Sequence, residues 1–443
     1  MKIEKDFIFG TATSAYQIEG AYNLDGKTDS IWDDFCEQKG KIKGGDDGKI
    51  ACDHYHKYEQ DIEIMKEMGI QSYRLSIAWA RIFPKEGEYN PKGMEFYKKI
   101  LAKLKEANIE PIITLYHWDL PMWAYKKGGW LNREVINDFV DYSKKVFEEL
   151  NGEVEKWITH NEPFVVSMLG YSSGEHAPGH KNMQEALEVA HNLLISHGKV
   201  IKELRKIKPD VKIGITLNLS QSYPEKNTKN DRKAARFFDG MLNRWFLEPI
   251  FKGKYPEDMI KLYKEKSGMD FSFIKESDFE DTAVKIDFFG INYYNRSTMK
   301  YSKSNELEFE SGKSDFKRTE MGWEVDPNGL YDLIVRIRKD YTKLPIMITE
   351  NGAAYPDEVN ENGEVIDDER TDYIVGHLEK ITKLNQEGYN ISAYYLWSFL
   401  DNFEWAHGYS KRFGIVHVDF GTQKRIVKKS GKTYADIIQK REI

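Results

Sequence analysis

The chain has 443 residues, of which 40% are hydrophobic and 13% are aromatic, enough to bury a substantial core. Such a length suggests two or three domains, although α/β barrels of this size also fold as single domains. The formal net charge of -7 gives nucleic acid and anionic membranes no electrostatic reason to bind, and no apolar stretch approaches the length of a membrane span.

The N-terminus and the cysteines favour a cytoplasmic protein. The opening residues, MKIEKDFIFG, lack the apolar region and the cleavage site of a signal peptide. The two cysteines, Cys36 and Cys52, are too few for a disulfide framework. We therefore expect a reducing, cytoplasmic location.

One pattern recurs along the chain: a short β-branched or aromatic run, a loop, and then an amphipathic segment. After Asn90 and Pro91, for example, apolar residues follow at helical spacing, with Asn90 suited to the N-cap and Pro91 to the first helical position. Eight strand-like runs occur: FIFGTATS from residue 7, IQSYRLSIAW from 70, EPIITLYHW from 110, EKWITHNEP from 155, VKIGITLNLS from 211, KIDFFGINYY from 285, LPIMITENG from 344 and NISAYYLWSF from 390.

Eight strand–helix units predict an α/β fold, a closed (β/α)8 TIM barrel in one catalytic domain covering residues 1–443. An open, doubly wound sheet is the alternative. That fold favours a glycine-rich first turn, but no GxGxxG follows any of the eight runs.

Polar residues cluster at the C-terminal ends of the predicted strands, where the chemistry of such barrels is located. Long polar segments follow the later strands, around residues 220–230, 297–325 and 355–370, and we expect long loops on that face. The polar strand ends are Arg74, His117 to Asp119, Asn161 with Glu162, Asn292 with Tyr294, Glu350 and Trp397.

Two of these strand ends carry glutamates, Glu162 in THNEP and Glu350 in ITENG. Hydrolysis of a glycoside needs one protonated carboxyl to donate to the leaving oxygen, and one ionised carboxylate to attack the anomeric carbon or activate water. A single glutamate more often caps a helix or pairs with a lysine. Two glutamates at barrel strand ends indicate a division of labour.

The residues resemble those of family 1 glycoside hydrolases, the retaining β-glucosidases, over essentially the whole chain. Seven motifs occur in the family's order, and the similarity continues to RFGIVHVDF near the C-terminus. The motifs are FIFGTATSAYQIEGA, YRLSIAW, TLYHWDLP, NEP, GINYY, TENG and DNFEW.

The resemblance implies that Glu350 is the nucleophile and Glu162 the acid/base, with Arg74 lowering the pKa of Glu350 and Tyr294 donating a hydrogen bond to it. A further set of residues is implied to bind substrate. Trp397 would form the stacking floor of the sugar site and Trp323 would line the aglycone side. The others in this set are Gln17, His117, Asn161, Asn292, Glu404 and Trp405.

Three alternatives compete with this interpretation. A 6-phospho-β-glycosidase would bind phosphate at positions occupied here by Glu404, Lys411 and Phe413, of which Lys411 alone fits. An inactive sugar-binding barrel should lack one of the two glutamates. A metal enzyme would use Cys36, Cys52, His54 and His56, the last three in CDHYH. The i, i+2 spacing of the two histidines turns them apart on a helix, and the usual zinc-ligand spacing is lacking.

We therefore predict an exo-acting β-glucosidase without a cofactor or metal. Its expected substrates are small β-glycosides: cellobiose, short cellodextrins, aryl β-glucosides and also β-galactosides. We expect neither nucleic acid nor a membrane as a partner. The sequence leaves open whether the chain forms a homo-oligomer.

Overall fold

The computed structural model describes residues 1–443 and contains a closed barrel of eight parallel strands. Each strand pairs with its sequence neighbours, and β8 pairs with β1 from Ile8 opposite Ala393 to Ala12 opposite Trp397. All eight predicted strands are confirmed, and the open sheet is ruled out. The strands are β1 Ile8–Ala12, β2 Ser72–Ser76, β3 Glu110–Tyr116, β4 Lys156–Asn161, β5 Lys212–Asn218, β6 Phe288–Asn292, β7 Ile346–Asn351 and β8 Ile391–Trp397.

Helices follow each strand and surround the barrel, and none is both long and apolar enough to span a membrane. Asn90 takes the N-cap position of the helix Pro91–Glu106, as predicted, but its amide donates to the Asp25 and Arg81 carbonyls instead of capping. The longer helices are His54–Glu67, Pro91–Glu106, Glu134–Leu150, Met183–Ile207, Lys229–Asp239, Trp245–Lys252, Glu257–Ser267, Pro327–Asp340, Asp368–Gln386 and Lys429–Lys440.

The barrel interior is filled rather than open. Its lower part is packed with apolar side chains, including Ile112, Ile158, Phe288 and Tyr395. The Tyr395 ring leaves no room on β1: a Cβ at Gly10 would lie 2.4 Å from it. The polar strand ends above this packing therefore face a closed floor, as in barrels of this class.

Long loops extend from the C-terminal ends of β5, β6 and β7, as predicted, and another follows β8. The loops after β5 and β6 build a small sheet from the strands Ser222–Pro224, Ser297–Tyr301 and Phe309–Ser311. The segment after β7 runs irregularly to the helix at Asp368, and the loop after β8 contains a short 3₁₀ stretch, Trp405–Ser410. These loops form the walls of a cleft above the barrel.

Candidate active site

Glu350 lies near the end of β7, and both oxygens of its carboxylate are bonded. Arg74 Nη1 donates to Oε1 and the Tyr294 hydroxyl donates to Oε2, each at 2.5 Å. Arg74 is itself oriented from the barrel wall, since its Nε donates to Thr114 Oγ1. The carboxylate therefore has a fixed position with a cation beside it.

Glu162 follows β4 and is connected to the same network through amide side chains. Asn292 Nδ2 donates to Glu162 Oε1 (2.6 Å) and to Asn161 Oδ1 (3.0 Å). Arg74 Nη2 donates to the same Asn161 oxygen (2.7 Å), and Thr349 Oγ1 orients the Asn292 amide. One hydrogen-bonded network therefore joins the surroundings of the two glutamates.

Backbone conformation also directs residues into the cleft. Glu162, Trp118 and Trp405 all have positive φ angles, of 50°, 80° and 47°. L-residues seldom adopt this region, which costs about 1–3 kcal/mol and occurs most often at functional sites. The Glu162 backbone N–H donates to the Thr216 carbonyl of the adjacent strand β5 (2.9 Å), which helps to hold that conformation.

The surroundings of the two carboxyls differ in charge. Burial and the facing Glu350 carboxylate raise the pKa of Glu162 well above its usual range. Burial also raises the pKa of Glu350, although Arg74 and the Tyr294 hydroxyl oppose that rise by stabilising the anion. The expected effect of Arg74 is thus present, but burial outweighs it, so the net shift is upward. Of the pair, Glu350 is the better placed to be ionised.

The two glutamates border a cleft of about 530 Å³. At its inner end, the His117 ring lies nearly parallel to Trp397 (5.9 Å between centroids) and to Trp405 (6.2 Å). Burial and the Arg74 charge hold the pKa of His117 well below its usual value, so the ring is neutral. Because Asn161 Nδ2 faces Nε2, the Nδ1 of His117 is left as a free donor.

Glu404 has a polar atom without a hydrogen-bond partner, whereas the amide of Gln17 is already hydrogen-bonded. Glu404 borders the cleft, and its buried Oε2 has no partner. Burial and the Glu350 charge raise the pKa of Glu404 to about 8. Gln17 is buried behind the cleft wall, where its amide donates to Asn402 Oδ1 (3.0 Å) and the Phe403 carbonyl (2.8 Å). Glu404 therefore offers a polar group that a ligand hydroxyl can bond.

The outer part of the cleft is mainly apolar. The centroid of the Trp323 ring lies 5.4 Å from that of Tyr294 and 6.0 Å from that of Phe413. On the other side of the outer cleft lie apolar side chains from the segments after β4 and β5. No sequence motif pointed to these residues. They are Phe164, Val165, Leu169, Leu219, Phe238 and Leu242.

The structure thus brings most of the predicted residues together. Nine of the twelve line the cleft directly, and Gln17, Arg74 and Asn161 lie behind its wall. Sequence reasoning missed Trp118 and His176 as lining residues; Trp118 directly follows His117, which was a usable signal, whereas His176 lies in a loop without one. The nine are His117, Glu162, Asn292, Tyr294, Trp323, Glu350, Trp397, Glu404 and Trp405.

The residues of the zinc hypothesis point to different partners. His54 Nδ1 pairs with Asp61 (2.8 Å), whereas His56 Nδ1 lies on the helix surface beside Asp53 (2.6 Å). The Cys52 thiol donates to the Asp401 carbonyl (3.0 Å). These side chains do not converge on one point, and no group of three or more potential metal ligands occurs.

Comparison with known proteins points in one direction. The model of glycosyl hydrolase family 1 matches residues 1–443. Beta-glucosidase A of Acetivibrio thermocellus is 51% identical over 98% of both chains. The crystal structure of the beta-glucosidase from Exiguobacterium antarcticum matches all of this chain and 99% of its own, with 49% sequence identity and a TM-score of 0.98. The structure of the family 1 b-glucosidase from Thermotoga maritima has the same coverage, with 41% identity and a TM-score of 0.96.

Proposed function

The chain belongs to glycosyl hydrolase family 1 and is a β-glucosidase, and from that premise we propose that it is exo-acting and retaining. It removes terminal, non-reducing β-D-glucosyl residues from small glycosides. One observation carries the proposal: two buried glutamates border one cleft, and a cation contacts one of them alone. That asymmetry supplies a nucleophile and a proton donor.

In the first step, a carboxylate oxygen of Glu350 attacks the anomeric carbon and forms a glycosyl ester. The bond from that carbon to the leaving oxygen breaks, and the proton of Glu162 passes to the leaving oxygen. In the second step, Glu162 takes a proton from water, whose oxygen attacks the anomeric carbon and releases Glu350. Two inversions retain the β-configuration.

The electrostatics of the pair explains how Glu162 changes role. While Glu350 is ionised, its charge keeps the pKa of Glu162 high and the proton in place. Once the ester has formed, that charge is gone while Arg74 remains nearby. The pKa of Glu162 then falls, and the carboxylate can act as a base.

Recognition of the terminal glucosyl unit falls to the inner end of the cleft. We assign the free Nδ1 of His117, the unpaired oxygen of Glu404 and the ring of Trp397 to the sugar, together with Trp405 and Asn292. Asn161 and Gln17 keep the sugar-binding role that the resemblance implies, although both lie behind the cleft wall with their amides already bonded. Packed side chains close the barrel below this end, which favours attack on a chain terminus. Glucosides and galactosides differ at the 4-hydroxyl, and we expect both to be cleaved.

The 6-phospho alternative has weaker support. Lys411, the one residue that fits a phosphate site, is already bonded: its Nζ donates to the Glu320 carbonyl (2.9 Å) and pairs with the Glu320 carboxylate (3.1 Å). Phe413 is buried and has no hydroxyl to donate. The presence of both Glu162 and Glu350 also argues against an inactive sugar-binding barrel.

The proposal also covers the cellular location and the natural substrates. We propose cytoplasmic hydrolysis of cellobiose and short cellodextrins, with aryl β-glucosides as further substrates. Assembly into a homo-oligomer stays a prediction.

The decisive test compares 4-nitrophenyl β-D-glucoside with its 6-phosphorylated analogue. We expect efficient cleavage of the plain glucoside and a loss of about four orders of magnitude in kcat for Glu350→Gln. Glu358→Gln, on the exposed loop after β7, serves as the matched control and should keep wild-type activity. Preference for the phosphorylated substrate would contradict the proposal, as would full activity of Glu350→Gln.

A further inference from the structure

Trp323 lies on irregular backbone between the small sheet and the helix Pro327–Asp340. The Thr319 N–H donates to the Trp323 carbonyl (2.9 Å) and the Val325 N–H to the Lys317 carbonyl (2.8 Å). We call residues 317–325 the Trp323 hairpin. The Gly322 N–H also donates to the Thr319 carbonyl (2.8 Å), and the Glu320 N–H donates to the Ala354 carbonyl (2.9 Å) in the segment after β7. None of these backbone bonds joins the hairpin to the small sheet, so side-chain contacts must fix it on that side.

The carboxylate of Glu324 supplies the contacts to the small sheet, whereas Lys411 holds Glu320 of the hairpin from the loop after β8. The Glu324 carboxylate is buried, and both of its oxygens are used. Oε1 accepts from Ser314 Oγ (2.7 Å) and Arg318 Nη2 (3.3 Å), while Oε2 accepts from Thr298 Oγ1 (2.9 Å) and lies 3.4 Å from Arg296 Nε. The carboxylate thus ties the hairpin to the strand Ser297–Tyr301 and to the segment that follows β6.

The cation on the far side of this contact is also held. The Arg296 guanidinium packs against two aromatic rings, with Cζ 3.7 Å from the ring centroid of Tyr223 and 4.3 Å from that of Phe316. Its Nη1 donates to Asp326 Oδ2 at 3.0 Å. An arginine fixed on three sides gives Glu324 a rigid anchor, since little side-chain entropy remains to be lost on pairing.

Trp323 and Glu324 serve opposite sides of the hairpin. Antiparallel bridges pair Glu324 with Arg296 and Arg318, so the backbone here is extended and successive side chains alternate. Trp323 accordingly borders the cleft, whereas Glu324 does not. Any shift of the Glu324 anchor would turn the Trp323 ring relative to Tyr294 and Phe413.

We propose that Glu324 is a positioning residue that sets the orientation of Trp323 and thereby the specificity of the enzyme for large leaving groups. The inference rests on the proposed function, in which Trp323 borders the leaving-group side. A glutamate with a purely structural role would act on all substrates alike. A positioning residue acts on those whose leaving group reaches Trp323.

The test compares two substrates that share glucose and differ in their leaving groups: 4-nitrophenyl β-D-glucoside and β-D-glucosyl fluoride, whose leaving group is one atom. For Glu324→Gln we expect kcat/KM for the nitrophenyl substrate to fall about tenfold, carried by KM, with kcat within about twofold of wild type. For the fluoride, both constants should stay within about twofold. Trp323→Ala should give the same pattern, and the double variant should lose no more than Trp323→Ala alone.

Glu310→Gln is the matched control, because Glu310 lies on the same small sheet but pairs with Lys300 at the surface. If Glu324→Gln folds poorly, Thr298→Val removes one donor from the carboxylate and should give a smaller loss of the same kind. Equal losses on both substrates, no loss on either, or additive losses in the double variant would overturn the proposal. A wild type that cleaves neither substrate would instead contradict the proposed function.

Discussion

At the scale of single residues, the proposed mechanism requires Glu162 to hold a proton in one step and lack it in the next. For Glu162→Gln we expect kcat for cellobiose to fall by about 10²–10⁴-fold, because no acid protonates the departing sugar. With 4-nitrophenyl β-D-glucoside, whose leaving group needs no proton, added azide should restore turnover and yield the β-glucosyl azide. The measurement is product analysis with and without azide.

The pH profile of the same variant gives a second readout. Burial and Glu350 raise the pKa of Glu162, so its acid form persists to higher pH, and activity is lost as the pH rises through that pKa. The acid limb belongs to Glu350, whose ionised form is lost as the pH falls. We expect Glu162→Gln to abolish the alkaline limb and keep the acid limb. A bell-shaped pH profile unchanged from wild type would show that another group donates the proton.

Which site residues were predictable follows from where they lie. Glu350, Glu162 and Tyr294 end or follow barrel strands, and Arg74 lies within β2; short motifs and strand order place all four on one face. The apolar outer wall, such as Leu169, comes from loops whose path depends on tertiary contacts, and no short pattern encodes it. The net upward pKa shift of Glu350 was missed because sequence gives charge neighbours but not burial.

At the scale of elements, buried ion pairs fix the loops after β7 and β8 to the C-terminal helix. Lys428, just before the helix Lys429–Lys440, pairs with Asp357 (2.5 Å) and Asp401 (2.7 Å), and all three side chains are fully buried. Asp401 precedes Asn402, which accepts a hydrogen bond from Gln17. The contact thus links the end of the chain to the sugar-binding loop.

For Lys428→Met we expect a loss of about 3 kcal/mol in the free energy of unfolding, because two buried carboxylates lose a counter-charge. Lys429→Met is the control: Lys429 pairs with Asp368 at the surface, and its loss should cost no more than about 1 kcal/mol. Urea denaturation of both variants measures the difference. Equal costs would show that the buried pairs do not anchor the helix.

At the scale of the whole molecule, the two ends of the chain complete one structure. β1 closes the barrel against β8, and the Tyr434 hydroxyl of the last helix donates to the Gly10 carbonyl in β1 (2.8 Å). We therefore propose that residues 1–443 form a single domain. Calorimetry should show one unfolding transition, with equal calorimetric and van't Hoff enthalpies. Two separable transitions would contradict a single domain.

The number and order of strands were predictable at this scale because a fully buried parallel strand reads as a short apolar run. The packing of the small sheet against the barrel was not, since its strands of three to five residues leave no comparable pattern. Loops of this kind carry the differences in leaving-group preference that a barrel alone does not determine.

The central claim is that a glucosyl ester forms on Glu350, and trapping that ester tests it most directly. A 2-deoxy-2-fluoroglucoside with a good leaving group slows both steps but lets the first outrun the second, so the intermediate accumulates. Proteolysis and mass spectrometry should then find one fluoroglucosyl group on the peptide containing Glu350. A label on another residue, or turnover that gives the α-anomer as first product and no trapped ester, would contradict the mechanism.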